Sequence, residues 1–436
     1  MSQLRVEFDD GLFSEEDLQR SLKKLSQENA TIRNEFKKKY ESKFASLYLP
    51  QDTELLNPLL EEIQRVQKHN IKALIIVGIG GSNLGAAAIM QALFGLLSNE
   101  INALKVYFAD TVDTDYIQQI KQCVEEELKQ NNQVHVVVVT KSGATTETVA
   151  NFEVFLDVLM CYRPKNYYEY VTVITDENSP LAALAQQRKF SALYIPRLVG
   201  GRFSVLSAAG LFPLALMGVD VKALLAGARS VIDEMLTLQH NCAAKSAAIK
   251  FWHWKNEIHI NNFFLFSVSL EGFGKWYRQL VAESLGKEND LEGNSVRVGI
   301  TPTVSIGSTD LHSVGQLYLG GPRNFFTTFV TIEQNKNNIQ IPNLNEFEEC
   351  VKHIQRIPLS SIMNAIIVGV KKAYQKEGLP FCSINLPELS PFYLGQLLQY
   401  AMLETMYLGT LLNINAFDQP HVELYKKETR KILADE

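Results

Sequence analysis

Short, unbroken apolar runs recur along this chain, separated by stretches with helical spacing. ALIIVG (73–78), LKVYFAD (104–110), HVVVVT (135–140), VTVIT (171–175) and ALYIP (192–196) are each strand-length and largely apolar. Continuous rather than alternating apolar runs are the mark of parallel strands buried on both faces. Helices are expected between them, over 114–129 and from the hydroxyl-rich stretch after residue 140 to about Met160. A second group follows: NNFFLFSVSL (261–270), GITPTVSIG (299–307) and FFTTFVTI (325–332), with helices over 359–376 and from Pro391 to Leu412. The pattern therefore predicts an α/β protein with two sheets, near 70–196 and 258–385, a loose duplication without sequence identity. Residues 1–60 read as a solvated outer helical layer, opening at Ser14 before Glu15, Glu16 and Asp17 and closing at Pro50 and Pro58. The expected divisions are 1–60, 61–240, 241–385 and a C-terminal helical segment, 386–436. Residues 220–256 read as helical and without chemistry, with Trp252, His253 and Trp254 as packing groups.

Composition narrows the function. Of 436 residues, 46% are hydrophobic and 21% charged, as in ordinary globular α/β proteins. A net charge of -6 carries no nucleic-acid footprint. No apolar run approaches the ~20 residues that span a bilayer, and MSQLRVEFDD lacks the layout of a secretion signal. The cysteines (Cys123, Cys161, Cys242, Cys350, Cys382) are widely spaced, without CxxC or Cys/His metal spacing. Reduced thiols and a cytoplasmic location are the expectation, with no metal site.

The candidate chemistry lies where strands give way to helices. GIGGSNLG (78–85) follows the first buried strand, a layout that presents backbone N–H groups and a helix start to a phosphate. TKSGATTET (140–148) sets hydroxyls and Lys141 at another strand end, where ligands of open α/β sheets bind. An ordinary N-cap cluster would look similar. VGGRFS (199–204) places Arg202, a permanent cation with a rigid donor fork, after two glycines. In KWYRQLVAESLGK (275–287), Gln279 and Glu283 are four apart and share a helix face, opposite apolar Trp276, Leu280 and Val281. Taken alone, Glu283 is a solvated glutamate near a helix end, and Lys426 a solvated lysine of the tail. His312, in STDLHSVGQ (308–316), is expected in the first turn of a capped helix, where the positive helix end favours neutral imidazole. His69, His135, His240, His253, His259 and His353 receive no role.

Five separated blocks, GIGGSNLG, TKSGATTET, VGGRFSVLSAAG, AESLGK with STDLHSVGQ, and FDQPHVELYK (417–426), stand in the order found in one family. The chain resembles the glucose-6-phosphate isomerases in their shorter bacterial form, from Gly78 to Lys426. The resemblance implies two sugar-isomerase (SIS) domains, each a doubly wound parallel sheet, with extra N- and C-terminal helices. It implies reversible isomerisation of D-glucose 6-phosphate and D-fructose 6-phosphate, a step of glycolysis and gluconeogenesis, with no cofactor. Glu283 matches the catalytic base, Arg202 the cation beside the enediolate, and His312 with Lys426 the pair that opens the sugar ring. Ser82, Thr140, Lys141, Ser142 and Thr145 match the phosphate cradle; Gly81, Gly201, Gln279 and Gln419 line the sugar. It further implies a homodimer in which the histidine comes from the neighbouring subunit, with no nucleic-acid or membrane partner.

Three positions depart from the family pattern. Thr140 stands for serine, Ala144 for a threonine or bulkier residue, and His421 for the glycine of FDQPGVE. If that glycine holds a left-handed backbone, histidine would cost roughly 1 kcal/mol or more and disturb Lys426. Two other readings compete. A dinucleotide-binding oxidoreductase would use the first glycine turn and Asp110, but Asn83 occupies the last glycine position of GxGxxG. A non-catalytic sugar-phosphate sensor would be expected to lack Glu283 or His312, and both are present.

Overall fold

The computed structural model describes residues 4–8, 13–237 and 241–435; His240 lies outside them. The strands are β1 (Arg5–Phe8), β2 (Ile71–Val77), β3 (Lys105–Ala109), β4 (Gln133–Val139), β5 (Val171–Thr175) and β6 (Ser191–Tyr194). They continue with β7 (Ile260–Leu265), β8 (Lys287–Asn289), β9 (Ser295–Val298), β10 (Thr301–Ile306), β11 (Phe325–Gln334) and β12 (Phe381–Glu388). One sheet runs β3-β2-β4-β5-β6 and is parallel throughout. The order reverses between β2 and β4, so the loops leaving those two strands part to opposite faces and open a crevice. The GIGGSNLG and TKSGATTET stretches, which leave β2 and β4, become neighbours at that point.

The second sheet runs β1-β12-β11-β7-β10. Its last four strands are parallel, as expected. Its edge strand, β1, is not: it runs antiparallel, with Val6 opposite Ile384. The pattern alone had suggested helix throughout this region. Arg5-Val6-Glu7-Phe8 alternates exposed and half-buried positions, but four residues are too few to carry a period, and only pairing with β12 makes them a strand. β8 and β9 form a small hairpin that the pattern also did not reveal.

Burial explains the apolar runs. Leu74, Ile75, Ile76 and Val77 of β2, and Val136, Val137, Val138 and Val139 of β4, are buried on both faces. The N-terminal helix Glu15–Phe36 begins as expected, with the Ser14 hydroxyl accepting from the Asp17 N–H at 3.3 Å. It is less solvated than expected, because Leu18, Leu25, Asn29 and Ile32 are buried. The helix Pro391–Leu411 is buried on nearly every side and packs against helices Val221–Thr237, Cys242–Lys255 and Glu271–Leu285. Glu404 on this helix pairs with Lys250 at 2.8 Å, each about 1% exposed. Burial works against the Lys250 ammonium, but the charges of Glu404 and its neighbours more than offset it and hold its pKa above the ordinary value. Tyr277 and Tyr400 donate to the same carboxylate at 3.3 and 3.2 Å. Residues 220–256 therefore do carry one half of a buried ion pair, which sequence spacing could not reveal.

Candidate active site

The two loops at the switch point meet a third. After β2 the chain makes a 3-10 turn, Gly80–Ser82, and enters the helix Leu84–Phe94. After β6 it makes another, Gly201–Phe203, carrying Arg202. The two turns touch backbone to backbone: a Cβ on Gly81 would lie 2.2 Å from the Gly201 carbonyl carbon and 2.5 Å from the Arg202 nitrogen. Glycine at 81 is therefore required by the loop–loop contact, which sets the height of Arg202 above the first sheet.

Between these turns and the loop after β4 lies a cleft of about 700 Å³. Gly81, Ser82, Thr140, Lys141, Ser142, Thr145, Gly201, Arg202, Gln279, Glu283, Gln419 and Lys426 all line it. The structure thus brings together every site residue read from the sequence except His312.

Part of the lining is a hydroxyl cluster. Thr145 occupies the N-cap position of the helix Thr146–Tyr162, yet its hydroxyl makes no capping bond. It pairs instead with the Thr140 hydroxyl at 3.0 Å and the Ser142 hydroxyl at 3.4 Å. An N-cap cluster would have satisfied the first-turn N–H groups; this one leaves them without a side-chain cap. The Ser82 and Asn83 N–H groups, by contrast, close the 3-10 turn onto the Ile79 and Gly80 carbonyls. Burial lowers the Lys141 pKa, Asp176 raises it and Arg197 lowers it further.

Glu283, also lining the cleft, rises from the helix Glu271–Leu285. One carboxylate oxygen accepts from Gln279 Nε2 at 3.0 Å, the other from Arg202 Nη1 at 3.3 Å. Its side chain remains 31% exposed to the cleft, whereas that of Arg202 is 1% exposed. Arg202 uses its whole donor fork. Nε donates to Ser284 Oγ at 2.7 Å, Nη1 also to Gln419 Oε1 at 2.7 Å, and Nη2 to the Ala416 and Asp418 carbonyls at 2.7 and 3.1 Å. Burial pulls the guanidinium below its ordinary pKa, and Glu283 and Asp418 oppose that shift. A lysine could not make this set of contacts.

Sequence reasoning missed Lys287, which lies outside the cleft. Its ammonium donates to the Glu283 carbonyl at 2.7 Å and the Asp418 carbonyl at 2.6 Å. It clamps the C-terminal end of the base-bearing helix to the FDQ loop. Its position four residues after Glu283 was the available signal. Burial, then the nearby Arg202 charge, lowers its pKa; Asp418 and Glu283 raise it. Arg197, Asp176 and Glu147 also line the cleft and were not singled out.

Two expectations change at the far end of the chain. His421 is not among the described residues with positive φ, so the strain anticipated from replacing glycine does not arise. Its ring instead meets Glu288 of β8 at 2.8 Å. Lys426, on the helix Val422–Asp435, lines the cleft with its ammonium on Glu423 Oε1 at 2.8 Å. His312 is not in the first turn of a capped helix. It ends a 3-10 turn, Thr309–His312, and the next helix begins at Gly315. The Asp310 carboxylate accepts from the Ile306 N–H at 2.7 Å and Ser313 Oγ at 2.9 Å, which closes the turn. The ring is exposed and outside the cleft. Asp110, the carboxylate of the dinucleotide reading, accepts from Asn83 Nδ2 at 3.0 Å and does not line the cleft. The five cysteines are unpaired.

A doubly wound sheet whose switch-point loops hold hydroxyls and a lysine, in one cleft with a guanidinium-braced carboxylate, has the layout of a protein that binds an anionic ligand beside an acid–base group. Comparison with known proteins narrows the class. The phosphoglucose isomerase family matches residues 62–436. A glucose-6-phosphate isomerase of Carboxydothermus hydrogenoformans is 34% identical over 89% of this chain and 84% of its own. One from Thermus thermophilus is 35% identical over 88% and 89%. A crystal structure of a hypothetical protein from Thermus thermophilus superposes with a TM-score of 0.88 at 32% identity, covering 99% of this chain and 100% of that one. The crystal structure of a Chlamydia trachomatis glucose-6-phosphate isomerase shares the fold, with a TM-score of 0.74 at 22% identity over 89% and 74%. The chain belongs to the phosphoglucose isomerase family.

Proposed function

We propose that this cleft carries out the family's reaction with the residues it gathers. The reaction is the reversible isomerisation of D-glucose 6-phosphate and D-fructose 6-phosphate through a cis-enediolate. The uncapped helix start, the Thr140, Ser142 and Thr145 hydroxyls, Ser82 and Lys141 hold the phosphate. Anchoring that end fixes the distance to the reacting carbons. Glu283 takes the proton from C2 of the aldose and returns it to C1, one carboxylate serving both carbons on one face of the enediolate. Arg202, locked in place before substrate arrives, offsets the charge that develops on the enediolate oxygens. Gln279, whose Oε1 is buried without a donor, and Gln419 take sugar hydroxyls beside Gly81 and Gly201.

Ring opening needs an acid–base pair near the ring oxygen. Lys426 is at the cleft; His312 of the same chain is not. The helix Val422–Asp435 has no buried residue, and its Leu424, Ile432 and Leu433 are more than half exposed. Both facts support a homodimer in which a second copy brings its histidine to this cleft. The observation that carries the whole reading is that the Gln279–Glu283–Arg202 brace and the hydroxyl cradle line one cleft. The test is conversion of fructose 6-phosphate to glucose 6-phosphate, read through a coupled dehydrogenase. Binding of the sugar phosphate without turnover would refute the enzyme and favour a sensor.

A further inference from the structure

The phosphate end of the cleft has a charge problem that Lys141 alone does not solve. Besides that lysine, the carboxylates of Asp176 and Glu147 line the same cleft. One ammonium against two carboxylates gives a net negative wall facing a dianionic phosphate, and like charges at short range in a partly dehydrated cleft repel. Of the other charged groups lining the cleft, Arg202 is paired with Glu283 and Lys426 with Glu423, which leaves Arg197, three residues beyond the end of β6 and in the loop that leads to Arg202. Unlike Arg202, Arg197 makes no hydrogen bond or ion pair among the described residues, and it is exposed. A guanidinium always carries its charge and presents a planar fork matched to phosphate oxygens. Burial already weakens the Lys141 ammonium, and Arg197 is close enough to lower its pKa further.

We infer that Arg197 is a second phosphate-binding cation of this cleft, acting on the 6-phosphate together with Lys141 and the Thr140–Thr145 hydroxyls. This rests on the phosphate cradle proposed above. With Lys141, Arg197 balances Asp176 and Glu147, so the site becomes neutral before the dianion enters and attractive once the fork reaches it. It touches no reacting carbon, and its contribution is to binding of anionic ligands.

The test compares wild type with Arg197→Gln and Arg197→Lys. A charge-assisted bidentate contact predicts a rise of about ten- to hundred-fold in KM for fructose 6-phosphate in Arg197→Gln, with kcat within about two-fold. Arg197→Lys should fall between the two. Inorganic phosphate serves as the second probe, by competitive inhibition and by calorimetry: Arg197→Gln should weaken it by a similar factor. Because the side chain is exposed, folding should be intact, which circular dichroism checks. Unchanged KM and unchanged phosphate affinity in Arg197→Gln would overturn the assignment. An inactive wild type would refute the isomerase reading instead, and the phosphate titration would still decide the role of Arg197.

Discussion

Replacing Glu283 by glutamine separates chemistry from binding in this cleft. The carboxylate accepts from two donors, Gln279 Nε2 at 3.0 Å and Arg202 Nη1 at 3.3 Å. A glutamine keeps one acceptor for Arg202. Its new N–H₂ group would face Gln279, but the Gln279 amide can turn and present Oε1, which lacks a partner at present. Arg202 retains its bonds to Ser284, Gln419 and the two carbonyls. The Glu283 side chain is about a third exposed, so loss of its charge should change stability by no more than about 1 kcal/mol. The phosphate cradle is untouched, so KM should stay within about three-fold. The amide cannot take a proton from carbon, and kcat should fall by about 10³–10⁴, equivalent to about 4–5.5 kcal/mol of barrier. The assay is coupled turnover together with exchange of the C2 hydrogen into deuterated solvent, which reads proton abstraction directly. A variant that turns over at more than about a tenth of the wild-type rate would refute the role of Glu283 as base.

Three further outcomes follow from the same geometry. Mixing Glu283→Gln chains with His312→Ala chains, each inactive alone, should restore about a quarter of wild-type activity if the histidine crosses a dimer interface, because half the dimers are mixed and each holds one intact site; no recovery would place His312 in its own subunit's site or outside catalysis. Lys250→Met should destabilise the fold by about 3–5 kcal/mol in urea denaturation, since Glu404 would be left buried and unpaired, whereas the double variant Lys250→Met with Glu404→Leu should recover most of that loss. His253 is held by burial at a pKa of about 4, against 6.5 ordinarily. The unfolded chain therefore binds a proton that the folded one refuses between those values, so this contribution is complete above pH 6.5 and is lost as pH falls toward 4; at pH 5 the loss is about 2 kcal/mol, and His253→Phe should flatten that part of the stability profile.

Most of the scaffold was legible because parallel strands are apolar on both faces. β5 and the helices Thr114–Lys129 and Leu359–Lys376 lie where the pattern predicted them. β1 was not legible, because its four residues become a strand only through β12, near the other end of the chain, where they meet Ser383 and Cys382. The cleft was legible where function leaves residue types that folding does not ask for: glycines in series, hydroxyls beside Lys141, an arginine after VGG. Lys250 was invisible, and Lys287 easy to pass over, for the opposite reason. A lysine in sequence reads as solvated, and only three-dimensional neighbours, the Glu283 and Asp418 carbonyls in one case and Glu404 in the other, turn it into a buried fastener. His312 was misplaced because the chain there closes a 3-10 turn, held by Asp310 on the Ile306 N–H and the Ser313 hydroxyl, before the helix begins at Gly315, a local choice that residue type leaves open.

The contacts of Arg202 have a consequence for the chain while it is being made. The arginine is synthesised more than two hundred residues before Ala416, Asp418 and Gln419, which supply three of its acceptors. Until those residues leave the ribosome, a folded first sheet would present a guanidinium with much of its fork unmatched, at the point where it is meant to be dry. A nascent chain stalled before residue 416 can therefore hold a well-formed sheet and phosphate loops but has a penalty at its centre. Completion of translation removes that penalty and places the brace on Glu283 in the same event. Truncated products should consequently be both inactive and preferentially unfolded, so that the residue serving the chemistry also discriminates finished chains from unfinished ones.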